Sequence, residues 1–370
     1  MRTDTRRAPL TDWTVVVPVG ALVALAFSWG RALPPFAVAL VALCLAGAVL
    51  AAVHHAEVVA HRVGEPFGSL VLAVAVTVIE VALIVTLMAD GGDETSSLAR
   101  DTVFAAVMIT CNGIVGLSLL VGALRNRVAV FNAEGSGAAL ATVATLAVLS
   151  LVLPTFTTSR PGPEFSTAQL TFAALASLAL YGLFIAVQTV RHRDYFLPVD
   201  TEPRPGAPQD PDAHAAPPTA RAALISVGLL LVALVAVVGN AKAVSPTIEK
   251  GVADAGLPHA VVGVIIALLV LLPETLAAVR AARRDRVQTS LNLAYGSAIA
   301  SIGLTIPAIA LATVWLSGPL LLGLGPIHMV LLALTVVVSA LTIAPGRATL
   351  LQGGVHLVLL AAYLLLAVSP

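Results

Sequence analysis

Two long apolar runs that each contain a single charge constrain this sequence most. Residues 66–89, PFGSLVLAVAVTVIEVALIVTLMA, are 24 residues in which Glu80 is the only formally charged side chain. Residues 255–279 form a second run, in which Glu274 is the only one. An unpaired ionised carboxylate at the centre of a bilayer costs at least ~2.5 kcal/mol, so a residue of this kind is a candidate for function.

Runs of this length predict membrane-spanning helices. One crossing needs about 20 apolar residues, and 58% of the residues are hydrophobic while 11% are charged. Lipid admits only helices and closed barrels, because backbone polar groups must be satisfied internally. Since the apolar runs are long and unbroken, we expect an all-α polytopic membrane protein.

Hydropathy predicts eleven transmembrane helices. They are expected near residues 14–32, 35–55, 68–89, 102–123, 137–156, 168–190, 222–241, 258–279, 291–315, 326–344 and 349–368. The interval 191–221 contains seven prolines and scattered acidic residues, which is typical of a linker. We expect a tail and an extra span in residues 1–33, and two halves of five spans each in residues 34–190 and 222–370.

The basic residues predict the orientation of the helices. Fifteen Lys and Arg residues fall on the face that carries the N-terminus and five on the opposite face. Because Lys and Arg near short loops are retained inside, we expect a cytoplasmic N-terminus and linker and an external C-terminus. Five is an odd number, so the two halves enter the membrane in opposite senses, as inverted repeats do.

Glu80 and Glu274 each lie in the second span of their half, so an inverted repeat would bring them together near the bilayer centre. Two facing carboxylates can bind a divalent cation through oxygen atoms. They can also take up protons, because burial and mutual repulsion favour the protonated form. A site that holds either ion indicates an antiporter. The alternative is that each glutamate is a structural group bonded to a neighbouring helix.

Other polar side chains in these spans could complete or support a cation site. The candidates are Thr77, Thr110, Asn112, Asn292, Ser297 and Ser301. Small polar residues also pack transmembrane helices and bond across them, so this second interpretation stays open. Pro273 directly precedes Glu274 and removes a backbone donor, which predicts either a helix break that exposes carbonyl oxygens or an ordinary kink.

The remaining ionisable cluster does not indicate an enzyme. His54, His55 and His61 surround Glu57 without the spacing of a zinc protease motif. We expect these residues at the cytoplasmic mouth, either as a proton or cation relay or as a solvated interface. Neither a nucleophile nor a metal cluster is evident at membrane depth, so a membrane enzyme is disfavoured and no cofactor is expected.

Two segments resemble a known family. Residues 64–85, GEPFGSLVLAVAVTVIEVALIV, and residues 271–307, LLPETLAAVRAARRDRVQTSLNLAYGSAIASIGLTIP, are similar to the two alpha-repeats of bacterial ChaA-type calcium/proton antiporters. These belong to the cation/Ca²⁺ exchanger superfamily. The resemblance implies alpha-repeats over about residues 64–123 and 257–315. It also implies an inner-membrane secondary transporter that moves Ca²⁺, and also Na⁺ or K⁺, outward against protons.

The resemblance also assigns roles to individual residues. It makes Glu80 and Glu274 the ion-binding glutamates, and it matches the polar positions of the following spans to Asn112, Gly296, Ser297 and Ser301. The vacuolar-type exchangers carry Gly-Asn before each glutamate, where this chain has Val76-Thr77 and Val270-Leu271. The expected partners are inorganic cations, protons and the lipid bilayer, with no nucleic acid. A Na⁺/H⁺ or K⁺/H⁺ antiporter with the same site is the alternative, and the oligomeric state stays open.

Overall fold

The computed structural model describes residues 12–31, 33–64, 67–91, 95–199, 218–258, 260–315 and 318–369. These residues form fourteen α-helices: α1 (Trp13–Ser28), α2 (Pro35–Val63), α3 (Phe67–Gly91), α4 (Leu98–Met108), α5 (Val115–Asn126), α6 (Ala133–Ala147), α7 (Leu153–Phe156), α8 (Thr167–Ala186), α9 (Ala220–Asp254), α10 (Ala260–Val270), α11 (Leu272–Arg283), α12 (Val287–Ala312), α13 (Pro326–Ile343) and α14 (Leu350–Val368). Three π-helical segments extend α4, α6 and α8: Ile109–Ile114, Val148–Val152 and Val187–Arg191. Two short strands, β1 (Ala129–Val130) and β2 (Arg347–Ala348), pair antiparallel.

The helical architecture follows the apolar runs. In the described part of the chain, eight helical stretches are long and apolar enough to cross a membrane, and the bent pair α10–α11 would be a ninth. Two shorter apolar stretches are α1, Trp13–Ser28, and the part of α3 that comprises Ala73–Ala89. Each predicted span coincides with helical structure, whereas the count of eleven crossings stays a prediction.

The helices form two compact units. Unit 1 comprises Met1–Leu87 and Ala215–Ala255, and in it α1, α2 and α9 pack against one another. Unit 2 comprises Met88–His214 and Gly256–Pro370, and its central helix α12 packs against α5, α6, α8 and α11. Each unit therefore combines helices from both sides of the linker. Apolar helix faces thus pack against partners distant in the chain, and the two predicted five-span halves stay a prediction.

The first part of the predicted linker is folded within unit 2. A 3₁₀ turn, Arg193–Phe196, follows the helical stretch that ends at Arg191. The ring of Phe196 is buried and contacts the ring of Phe184 edge-on, with centroids 5.9 Å apart. The proline-rich residues 200–217 lie outside the described residues.

A buried histidine holds α1 in unit 1. Pro18 has no N–H, so the carbonyl of Thr14, four residues earlier, lacks its donor within the helix. Nε2 of His55 lies 2.9 Å from that carbonyl oxygen and donates to it, and Nδ1 lies 3.3 Å from the hydroxyl of Ser226 in α9. His55 is 3% exposed. The solvated-interface interpretation is therefore wrong for this residue, although His61 on the same helix is exposed.

Loss of this contact should lower stability. We expect His55→Leu to reduce the free energy of unfolding by about 1–3 kcal/mol, because the carbonyl of Thr14 would lose its donor in an apolar environment. Thermal unfolding of the detergent-solubilised protein measures the effect. His61→Leu is the matched control, and equal melting temperatures for the two variants would contradict this role of His55.

Candidate functional site

Glu274 lies where a membrane helix is broken. α10 ends at Val270, α11 begins at Leu272, and the two are bent by 51°. Pro273 is the second residue of α11 and has no N–H with which to continue the hydrogen bonds of α10. Glu274 is therefore in the first turn of α11, where the helix dipole favours a negative charge. One of its carboxylate oxygens is buried.

The break also changes the bonding of nearby backbone carbonyls. The carbonyl of Leu271 accepts from the backbone N–H of Thr275 at 2.9 Å and from its hydroxyl at 2.7 Å. The carbonyl of Leu269, four residues before Pro273, has no N–H to accept from at that position. Backbone oxygens beside a carboxylate are ligands of the type that hard cations prefer.

Thr110 and Asn112 lie in the π-helical segment Ile109–Ile114. This segment lies in the middle of the stretch Leu98–Asn126, in which Asn112 is the fifteenth of 29 residues. π-Helical turns are rare and occur frequently at functional sites. The letters ITCNGI do not predict this geometry, so it is a feature that sequence reasoning missed.

A chain of hydrogen bonds fixes the register of three helices in unit 2. The hydroxyl of Ser118 in α5 lies 2.5 Å from that of Ser290 in α12, which donates to the carbonyl of Ala278 in α11 at 2.7 Å. All three helices meet at the turn between α11 and α12, where the amide of Asn126 donates to Asp285 at 2.6 Å. The hydrogen-bonded residues Ser118, Ser290 and Ala278 therefore mark one common level, and the distance of other residues from this level can be counted along each helix.

That count places three predicted site residues at a similar level. At ~1.5 Å per residue along the helix axes, Glu274 lies about 6 Å from this level, Asn112 about 9 Å and Ser297 about 10 Å. The π-helical segment and α12 are neighbours, as are α11 and α12. By this count the depths of the three residues differ by no more than about one helical turn.

Thr110 and Asn112 already have partners inside unit 2. The hydroxyl of Thr110 donates to the carbonyl of Ala106, in its own helix, at 2.7 Å. The amide nitrogen of Asn112 donates to the hydroxyl of Thr335 at 3.0 Å, and its amide oxygen lies 3.2 Å from Nδ1 of His356. These contacts favour the interpretation that both side chains bond within and across helices instead of ligating a cation directly.

Asn292 has a different structural role. Its amide nitrogen donates to the carbonyl of Phe196 at 2.6 Å, and its oxygen accepts from Gln288 at 2.8 Å. Asn292 thus anchors the 3₁₀ turn that follows α8. Because it lies only two residues from Ser290, it is more than a helical turn from the level of Ser297.

α12 leaves open space beside its Gly-Ser pair. A Cβ atom at Gly296 would meet no atom within 4 Å, although most of the helix is buried. Ser297 is half-buried, and Ser301, one turn further, is 3% exposed. α12 is therefore open at Gly296, and the adjacent Ser297 is partly accessible.

Glu80 and Thr77 lie on α3, which continues without a break through both residues. They are three residues apart, share one face of the helix and are each 5% exposed. Glu80 therefore differs from Glu274, whose helix is interrupted immediately before it. Glu80 belongs to unit 1 and Glu274 to unit 2.

His356 is a functional candidate that the sequence analysis did not single out. It is fully buried in α14, its Nδ1 faces Asn112, and its Nε2 lies 3.3 Å from the hydroxyl of Thr342 in α13. A lone histidine in the uncharged run of α14 was the available signal, because ionisable residues at membrane depth are rare and usually functional.

A second polar cluster lies at the start of α4. The carboxylate of Asp101 accepts from Nε of Arg100 at 2.8 Å and from the hydroxyl of Ser97 at 2.8 Å. Arg100 also donates to the carbonyl of Gly323 at 3.3 Å. Asp101 is 7% exposed, so its charge is compensated within this cluster. Within the described residues, no group of three or more His, Cys, Asp and Glu side chains could hold a metal ion.

Comparisons with known sequences place the chain in a family. The sequence profile described as sodium/calcium exchanger protein matches residues 33–190 and 225–369. The y4hA protein of Sinorhizobium fredii (strain NBRC 101917 / NGR234) is 45% identical over 372 residues, which cover 100% of this chain and 99% of the relative. The sodium-potassium/proton antiporter ChaA of Escherichia coli (strain K12) is 36% identical, over 96% of this chain and 95% of the relative.

Solved structures share the fold at low sequence identity. Native YfkE has a TM-score of 0.69 and 14% identity, with 95% of this chain and 98% of that chain covered. An H⁺/Ca²⁺ exchanger, CAX, has a TM-score of 0.67 and 16% identity, with 95% and 86% covered. The sequence matches and the shared fold indicate the same family, and the apolar helices are long enough for a protein that crosses the membrane. The chain therefore belongs to the sodium/calcium exchanger protein family, whose members are secondary transporters, and is a multi-pass membrane protein.

Proposed function

We propose that this protein exchanges cytoplasmic Ca²⁺ for external protons by alternating access around Glu80 and Glu274. The observation that carries the proposal is the position of Glu274 in the first turn after a helix break. By the count along the helices, its depth is similar to that of Asn112 and Ser297. The two five-span halves act as inverted repeats in this proposal. The N-terminus is cytoplasmic and the C-terminus is external, in a bacterial inner membrane.

Charge balance explains why the two ions exchange. Two ionised carboxylates without a cation would leave two uncompensated charges at membrane depth, which is costly. A Ca²⁺ ion compensates both charges through coordination, and protons remove them. The transporter therefore changes the side to which its site opens only when it is loaded with Ca²⁺ or protonated, and this prevents leakage of either ion.

The proposed cation shell consists of oxygen atoms. It contains the carboxylates of Glu80 and Glu274, the hydroxyl of Ser297 and backbone carbonyls at the break before Pro273. Ca²⁺ takes about six to eight oxygen ligands, so water molecules complete the shell. Thr110 and Asn112 support the site through their bonds within unit 2.

A monovalent exchanger is the second candidate. The relative that is 36% identical is named a sodium-potassium/proton antiporter. A monovalent ion together with one proton also compensates two carboxylates. The positions before each glutamate, Val76-Thr77 and Val270-Leu271, offer no side-chain amide that would favour a divalent ion.

Transport in inverted membrane vesicles distinguishes the two candidates. Respiration acidifies the vesicle lumen, and addition of an exchanged cation releases protons, which restores the fluorescence of a quenched pH dye. We expect Ca²⁺ to act at lower concentration than Na⁺ or K⁺, with vesicles that lack the protein as the control. A response to Na⁺ or K⁺ alone would support the second candidate. The absence of a response to all three cations would refute antiport.

A further inference from the structure

In each buried hydrogen bond around Asn112, the chemistry of the groups determines which one donates and which one accepts. The amide nitrogen of Asn112 donates to the hydroxyl of Thr335, which lies 3.7 Å from the sulfur of Met108 and donates to it. The amide oxygen of Asn112 can only accept, so Nδ1 of His356 carries the hydrogen between them. In the neutral imidazole, Nε2 then accepts from the hydroxyl of Thr342.

Every member of this network is buried. Asn112 and His356 are 0% exposed, Thr335 1% and Thr342 3%. The network joins the π-helical segment Ile109–Ile114 to α13 and α14. Because these groups are buried, loss of one partner leaves the other unsatisfied in an apolar environment.

Close backbone packing independently ties α14 to the same stretch. A Cβ atom at Gly116 would lie 3.0 Å from Cβ of His356 and 3.1 Å from the carbonyl oxygen of Gly353. A Cβ atom at Gly353 would lie 2.8 Å from the backbone nitrogen of Leu120. Small residues permit this approach of two membrane helices, which leaves α14 little freedom to shift.

We propose that His356 and Thr335 are positioning residues of the cation site, which they support through Asn112. They hold the π-helical segment at the level of Glu274 and Ser297, so the affinity for the cation depends on two helices that carry no proposed ligand. This inference rests on the proposed exchange for its transport readout, but not for its structural readout.

The structural readout uses the cysteine next to Asn112. Cys111 is 1% exposed, and the only other cysteine of the chain is Cys44. In a Cys44→Ser background, the rate at which N-ethylmaleimide labels the protein reports water access to Cys111, because the thiolate is the reactive form. We expect His356→Leu to raise this rate several-fold.

The transport readout separates positioning from general damage. We expect His356→Leu to raise the apparent KM for the exchanged cation roughly tenfold, with a smaller change in maximal rate. His356→Asn should recover most of the affinity, because its amide nitrogen is as many bonds from Cα as Nδ1 and can donate to Asn112. Val358→Leu is the control, since Val358 is on the same helix and 67% exposed.

Three results would overturn the proposal. The first is unchanged labelling of Cys111 in His356→Leu. The second is equal KM values for His356→Leu and the parent. The third is a shifted pH profile of the maximal rate in His356→Leu, which would make His356 a proton carrier instead. If the parent transports no cation while His356→Leu still exposes Cys111, the proposed exchange fails but the positioning of the π-helical segment stands.

Discussion

Glu80→Gln and Glu274→Gln should each reduce exchange at least ~30-fold. Truncation of one member of a buried charged cluster commonly costs about 2–5 kcal/mol, and each 1.4 kcal/mol corresponds to about a tenfold change. Glutamine preserves the volume of the side chain but neither takes up a proton nor carries the negative charge that compensates a cation. Initial rates of cation-driven proton release, per amount of folded protein, measure the effect.

The folded state is not expected to suffer from these two substitutions. Glutamine resembles the protonated form of the carboxyl group, which the proposed cycle already contains. Glu134→Gln is the control, because Glu134 lies in the first turn of α6 and is exposed. Full activity in either single variant would contradict a site shared between the two glutamates.

Pro273→Ala should produce a more stable but less active protein. Alanine supplies the N–H that the carbonyl of Leu269 lacks and favours a continuous helix by up to about 3 kcal/mol. A straightened helix would bond the carbonyl oxygens internally and move Glu274 out of a first turn. We expect the apparent KM for the cation to rise about tenfold, because backbone ligands are withdrawn, while the melting temperature rises.

A second proline in the same unit provides the comparison. Pro307 lies inside α12, which continues without a break. Pro307→Ala should also favour the helix but change the apparent KM by less than about threefold. Equal changes of KM in the two variants would show that the break at Pro273 has no special role in cation binding.

Local physical chemistry determines where the helices and the two charged positions lie. The transfer of an apolar run into lipid depends on its own residues, so the positions of the helices follow from the sequence. The free-energy cost of placing one carboxylate in an apolar run also depends on nearby residues alone. For this reason Glu80 and Glu274 are recognisable in the sequence. Pro273 likewise indicates an interruption, because its missing N–H affects only the adjacent turn.

The roles of the other candidates depended on distant partners. Asn112 bonds Thr335 and His356, which are 223 and 244 residues away in the chain. No local pattern distinguishes an amide with such partners from one that faces a cation. Asn292 is a similar case, because its bond to Phe196 depends on how the segment after α8 folds back.

Local sequence patterns also do not predict which helices pack together in each unit. A hydropathy profile orders the helices along the chain, but their packing depends on the complementary surfaces of helices far apart in sequence. Unit 1 joins α1 and α2 to α9, and His55 meets the carbonyl that Pro18 leaves without a donor. The sequence thus determined the membrane helices and the two charged positions, because local free energies govern both. Tertiary packing determined which polar groups are hydrogen-bonded inside the protein, because each hydrogen bond requires a partner that only the folded chain brings near.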